Sequence, residues 1–451
     1  MTVRPEVAQR PEVSPPVPWR QPVPVVTRLA SGLTLATHDL PGQQVASVRM
    51  VIPATLADEG AGREGSTELM TRLLDEGCRG HSPEEFALAL ERQGIVLGAG
   101  AVEGGVSVDL DVPVRRLPDA LELMALAVAE PTFPPDQVSR ILRNRLAEIE
   151  HENSSAPHRG ARELLRTLWA PGTRAAVPTA GTSESVAALT REDLVARHRS
   201  LGPADATVVV SGHLAYLDVR RLVEDSLGTW LLGAGEGVEP AAPQAAGGGP
   251  RIVLVDRPGS VQSELLVAAP GPDRTDEHWA AFPVTAYLLG GSPNARIDAL
   301  LREDKGWTYG MRASARPRVR GGSFVVSGSV RADVTAPALS ALLDILEEAH
   351  SGFSTAELVS GVDFITRATP ARWATADVVA DETAALAMEG LPWDFPQRTM
   401  ESMLLLTVED LTRAWSRIAP EGWTVVVVGD ADTIRAPLEG LGLAPVTVVP
   451  A

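Results

Sequence analysis

One stretch of this chain occurs twice. TREDLVARHRSLGPADATVVVSG runs from Thr190 to Gly212, and TVEDLTRAWSRIAPEGWTVVVVG from Thr407 to Gly429, offset by 217 residues with no gap. Thr190 and Thr407, Glu192 and Glu409, Asp193 and Asp410, Leu194 and Leu411, Pro203 and Pro420, and Gly212 and Gly429 coincide. In each copy a threonine followed by acidic residues can cap a helix. A short turn comes next, then a β-branched run, ATVVVSG or WTVVVVG, that reads as a buried strand. A period of this size is that of a domain rather than a solenoid repeat, so the chain of 451 residues reads as one domain used twice.

The restart points agree with this. VTRLASGLTLATHDLPGQQVASVRMVIPA in the first half and PRIVLVDRPGSVQSELLVAAPG in the second each give a strand, a turn at Pro-Gly and an alternating strand. GAVEGGVSVDLDVP and GGSFVVSGSVRAD are their later, alternating counterparts. The expected fold class is α+β: two homologous domains, each a mainly antiparallel sheet with helices packed on one face. The expected boundaries are a Pro-rich N-terminal extension at 1–23, a first domain at 24–230, a linker at 231–250 and a second domain at 251–451. The linker LLGAGEGVEPAAPQAAGGGP is rich in Gly, Ala and Pro and poor in bulky apolar residues.

Charge narrows the partners. The formal net charge is -18, which argues against nucleic acid or an anionic membrane surface as the main partner and is compatible with cationic peptides or a more basic protein. A single cysteine, Cys78, cannot form an internal disulfide. The N-terminal residues lack the apolar core of a secretory signal, and no run of 18 apolar residues occurs, so the expected location is the cytoplasm.

Most residue patterns of catalysis are missing. Of the eight histidines (His38, His81, His151, His158, His198, His213, His278 and His350), no two lie four apart, and each reads as a surface or helix-end residue. There is no G-x-S-x-G, Cys78 has no obvious base beside it, and GAGAVEGG lacks the lysine of a phosphate loop. Two stretches remain. GREGSTELMTRLLDEGCRG, followed by SPEEF, has Gly65, apolar Leu69, Leu73 and Leu74, and Gly77 at helix spacing. LLGGSPNARIDALLREDKGWTYGMRAS leads from a Gly290-Gly291 turn through Leu301-Arg302-Glu303 to Gly306 and Tyr309. Arg302 and Tyr309, by residue type alone, could equally be a helix-surface cation and an aromatic packed at a strand start.

In these two frames the chain resembles the insulinase/pitrilysin family of zinc peptidases, including processing peptidases of the mitochondrial type, from about residue 24 to about 445. The resemblance implies paired domains that form half of a clamshell around a peptidase chamber. In catalytic members the first frame carries H-x-x-E-H, two zinc ligands flanking a glutamate that polarises water. Here those positions hold Glu68, Thr71 and Arg72. Thr71 cannot serve as the general base and Arg72 cannot ligate zinc. The third ligand position falls near Glu148 or Glu150. No metal is therefore expected in this chain. A Glu68–Arg72 pair at i,i+4 fits the vacated positions.

The resemblance also implies that Arg302 and Tyr309 project into the chamber and hold the substrate backbone at the scissile carbonyl, since both are hydrogen-bond donors. A short Gly290-Gly291 element stands where related subunits carry a longer glycine-rich loop. The implied role is a non-catalytic subunit of a heterodimeric zinc metallopeptidase. Zinc would sit in a homologous motif-bearing partner, and the substrate would be a peptide, for example a precursor that loses a leader segment. Two alternatives stay open: a structural or peptide-binding scaffold without proteolysis, and an enzyme using an unrecognised site.

Overall fold

The structure, a computed structural model, describes residues 19–203, 205–228, 230 and 241–450. Most of the Pro-rich extension and residues 231–240 of the expected linker lie outside the described residues.

Among the described residues, twelve strands form two six-stranded sheets. The first sheet contains β1 (Val25–Arg28), β2 (Thr34–Asp39), β3 (Val45–Pro53), β4 (Val96–Val102), β5 (Gly105–Pro113) and β6 (Thr207–Gly212), in the order β1-β2-β6-β3-β5-β4. The second contains β7 (Arg251–Asp256), β8 (Gln262–Gly271), β9 (Arg312–Pro317), β10 (Gly322–Arg331), β11 (Thr424–Gly429) and β12 (Val446–Val449), in the order β12-β7-β11-β8-β10-β9. The sheets are mainly antiparallel, with β6 parallel to β2, and both β11 and β12 parallel to β7.

The offset of 217 residues holds in three dimensions. It separates the first residues of β2 and β7, of β3 and β8, of β5 and β10, and of β6 and β11. Both threonines of the repeat cap their helices: Thr190 Oγ1 accepts from the Asp193 N–H and Thr407 Oγ1 from the Asp410 N–H, each at 3.2 Å. The acids complete capping boxes by accepting from the threonine N–H groups. Both repeat strands are buried along their whole length, as their β-branched runs require.

Each half has a large core between one sheet face and its own helices, built around Met50, Leu69 and Leu110 in the first half and Phe282, Phe324 and Trp415 in the second. The other face of each sheet is covered by a helix from the opposite half. Helix Ala156–Leu168 lies on the second sheet, where Leu164, Leu168 and Trp169 pack against Val253, Leu266 and Val426. Helix Ala376–Glu389 lies on the first, where Ala380 and Ala384 pack against Val51 and Val209. This reciprocal exchange adds a second helical face to each sheet, beyond the single face expected.

Polar contacts lock the exchange. Arg49 on β3 donates to Asp381 at 2.5 Å and to Asp111 at 3.1 Å. His38 on β2 is hydrogen-bonded to Thr383 Oγ1 at 2.9 Å. The surface or helix-end assignment of the histidines fails at His38, which is buried between the halves; His198 does lie at the end of helix Arg191–Arg199, but buried against the carbonyl of Val128 at 2.8 Å. Burial lowers the His38 pKa to about 4, so it is neutral at pH 7.

Candidate functional site

The first frame folds as helix Ser66–Thr71, with Leu69 and Leu73 fully buried beneath it. Its cap residue, Gly65, offers no side chain and sits at φ 95° with its would-be Cβ 2.9 Å from the backbone of Ala180, so no other residue fits. The missing cap is supplied from a distance. Glu59 is buried; its carboxylate accepts from the N–H of Thr67 at 2.8 Å and of Gly65 at 3.2 Å, and from Arg174 at 2.8 Å. A carboxylate here satisfies orphan donors and opposes the positive end of the helix.

The positions where the resemblance looks for zinc ligands are closed by a cation. Arg72 Nε donates to Glu68 Oε1 at 2.9 Å, and its Nη1 donates to both oxygens of Glu148, at 2.9 and 3.0 Å. Arg145 donates to Glu148 at 3.1 Å and to Glu152 at 2.6 Å. Glu150, the other candidate, is exposed on the opposite side of its helix turn. Burial opposes the charge on Glu148, but hydrogen bonds from Arg72 and Arg145 outweigh it and hold its carboxyl below the ordinary range. Thr71 Oγ1 donates to the carbonyl of Glu68 at 2.8 Å and is tied to its own helix.

This donor set does not fit zinc. A guanidinium occupies the space between the two carboxylates, repels a divalent ion and leaves no imidazole or thiolate ligand. Among the described residues no group of three or more His, Cys, Asp or Glu side chains is placed to hold a metal. Glu68 has a further contact. Its Oε2 accepts the N–H of Ala101 at 3.1 Å, on the edge strand β4 of the first sheet. The carboxylate thus caps a backbone donor that an added strand would otherwise use. Nothing in the sequence signals this contact across 33 residues. Cys78 is buried, and burial with Glu130 nearby pushes its thiol up to about 11, which removes it as a nucleophile near neutral pH.

The second frame is built differently. Helical turns at 296–304 carry Arg302 and lead through Gly306, at φ 62°, into a loop that ends at β9. The loop is fixed at several points. The Trp307 N–H donates to Leu301 O at 2.9 Å, and Thr308 Oγ1 donates to Ser329 O at 2.7 Å. Asp298, fully buried, accepts from the Met311 N–H at 2.8 Å and from Arg312 at 2.7 Å. Between these anchors the side chain of Tyr309 stands 94% exposed. Arg302 is 39% exposed, with its Nε 3.4 Å from Glu303. Neither a hydrogen bond nor an ion pair joins Arg302 to Tyr309. Gly290 is buried, and a Cβ there would lie 2.7 Å from the backbone nitrogen of Ala313. That close approach to β9 is what the glycine serves.

Fold and site together describe a two-sheet, internally duplicated protein in which an ion-pair knot fills the positions where the resemblance looks for metal ligands. The model of a family described as the peptidase M16 inactive domain matches residues 188–362. An uncharacterized zinc protease of Mycobacterium tuberculosis is 27% identical over 355 residues, covering 77% of this chain and 80% of that protein. A probable mitochondrial-processing peptidase subunit beta of Schizosaccharomyces pombe is 25% identical over 240 residues, covering 53% of this chain and 50% of that one. Among solved structures, a peptidase M16 inactive domain from Pseudomonas fluorescens superposes with a TM-score of 0.82 at 23% identity, covering 90% of this chain and 98% of that chain. A protease from Helicobacter pylori superposes with a TM-score of 0.84 at 17% identity, covering 91% of this chain and all of that chain. The chain is thus similar to peptidases of the M16 family and, over residues 188–362, to the family's inactive domain.

Proposed function

We propose that this chain is the non-catalytic subunit of a heterodimeric zinc metallopeptidase. Its first domain, residues 24–230, forms wall; its second, residues 251–451, carries the substrate contact. Zinc and the general base reside in a homologous partner chain with an intact H-x-x-E-H motif. Arg302 and Tyr309 reach the substrate backbone at the partner's metal and donate to the scissile carbonyl as charge develops on its oxygen. The substrates are peptides, including precursors that lose a leader segment, and the complex works in the cytoplasm. No helix among the described residues is long and apolar enough to cross a membrane.

The observation that carries this reading is Tyr309. A singly exposed aromatic is ordinary on a protein surface. This one stands almost fully exposed on a loop whose anchors fix its backbone, the arrangement expected of a group waiting for a ligand from outside the chain. The test is to purify the chain and its motif-bearing homologue separately, mix them, and follow cleavage of a quenched fluorescent peptide. Cleavage is expected only in the mixture, with one zinc per pair. A stable pair that never cleaves favours the scaffold reading. Cleavage by this chain alone favours an unrecognised site.

A further inference from the structure

A cleft of about 550 Å³ opens between helix Ala156–Leu168, the turn at Ser183 and the end of β12. Three arginines line it, Arg159, Arg162 and Arg166, at i, i+3 and i+7 on one helix side. Two of them are committed. Arg159 and Arg166 donate to the two oxygens of buried Glu163, at 3.0 Å and 2.7 Å. Arg159 also donates to the carbonyl of Pro450 at 3.0 Å. The next acid along, Glu152, is held on both oxygens by Arg145.

Arg162 is left over. Among the described residues it makes no hydrogen bond and no ion pair: Glu152 and Glu184 attract it only through space, and Glu184 accepts from Thr182. Burial, with Arg159 beside it, holds the Arg162 pKa below its ordinary range, which marks a cation short of compensating charge. This under-compensated cation lies in a chain whose net charge is -18. A second orphan borders the same cleft: Asn153 Oδ1 is buried and accepts no hydrogen bond. An acceptor in that position calls for an N–H.

We propose that this cleft binds the C-terminal end of a peptide, with Arg162 pairing its carboxylate and Asn153 Oδ1 accepting a backbone N–H. A guanidinium matches a carboxylate in a planar, two-point geometry. Inorganic phosphate or acetate satisfies Arg162 but brings Asn153 no N–H. The volume far exceeds that of one small ion, on the order of 30 Å³ for a water-sized group. Pro178 and Val449 supply apolar wall for the residues behind the carboxylate. The proposal rests on the reading that this chain handles peptides, and gives it a second contact remote in sequence from Arg302 and Tyr309.

The test is isothermal titration of the full chain with acetylated tetra-alanine, as the free acid and as the C-terminal amide. The free acid is expected to bind at least about tenfold more tightly than the amide. Arg162→Gln, at a half-buried position, is expected to weaken the acid by about tenfold to a hundredfold, in line with loss of a hydrogen bond to a charged group, and to leave the amide and the thermal midpoint unchanged. Arg302→Ala is expected to leave both titrations unchanged, so a failure of the chamber reading and a failure of this one are separable. Equal binding of acid and amide, no binding of either, or indifference to Arg162→Gln overturns the proposal. Displacement of the acid by an equal concentration of inorganic phosphate also overturns it, because the site would then take a small oxyanion only.

Discussion

The two frames that suggest chemistry in this chain end in opposite states. In the first, Glu68, Arg72 and Glu148 satisfy one another, and Glu68 spends its second oxygen on the edge of β4. In the second, the scaffold is tied down and the side chains are left out: Asp298 and Thr308 hold the loop while Tyr309 faces solvent. The contrast separates a frame whose charges neutralise one another from a frame that, under the proposed function, stays open to a ligand from outside the chain. The positions where the resemblance looks for ligands hold charges that neutralise locally, and the helix packs as architecture. Under the proposed function, the exposed Arg302 and Tyr309 act only on a peptide held at a partner chain.

The strongest way to break this contrast is to reopen the first frame. Glu68→His, Thr71→Glu and Arg72→His together remove the guanidinium and leave Glu148, whose carboxylate already meets the side chain of residue 72. The triple variant is expected to bind about one zinc per chain by metal analysis after dialysis, against none for the unaltered chain. Failure to bind would mean that helix geometry, and not the ligands alone, has changed.

Other predictions sharpen the account of what holds the frames in register. His38 is neutral in the folded protein and charges on unfolding below about pH 6.5. The unfolded state therefore binds the extra proton, and stability falls as pH drops from about 6.5 toward 4. The full loss is about 3 kcal/mol. His38→Gln is expected to flatten that acid limb in urea unfolding measured across pH. Gly160 sits where helix Ala156–Leu168 meets the second sheet, with a would-be Cβ 2.6 Å from Leu266 Cδ1 and 3.0 Å from Val428 Cγ2. Gly160→Val is expected to cost about 2 kcal/mol by overpacking, read as a lowered urea midpoint. Arg72→Ala leaves Glu68 and Glu148 without their shared cation. Because the group is part-exposed, the expected cost is about 1 kcal/mol, seen as a small fall in thermal midpoint that high salt reduces.

The doubled fold was legible because repetition constrains more than any single motif. Thr190 and Thr407, each with an acid three residues on, specify the same capping box, and the β-branched runs behind them specify the same buried strand. The edges were less legible: the first sheet ends on β1, which precedes the repeat unit, and the second on β12, which follows it. The exchange of helices left no readable mark. Leu164, Leu168 and Ala380 show that their helices have an apolar side, but spacing does not say which sheet that side meets. The Glu68–Arg72 pair follows from helical spacing alone. The bridge to Glu148, the cap from Glu59 and the clamp from Asp298 are tertiary contacts whose partners lie far apart in sequence or across a turn.

The central claim is that recognition survives at Arg302 and Tyr309 while the metal lies in another chain. The most direct measurement is steady-state cleavage by the reconstituted pair carrying Arg302→Ala or Tyr309→Phe in this subunit. Each removes a donor aimed at the developing oxyanion, so kcat is expected to fall by about a hundredfold with KM nearly unchanged, while zinc content and pairing stay intact. Turnover equal to that of the unaltered pair, with either substitution, would contradict the account.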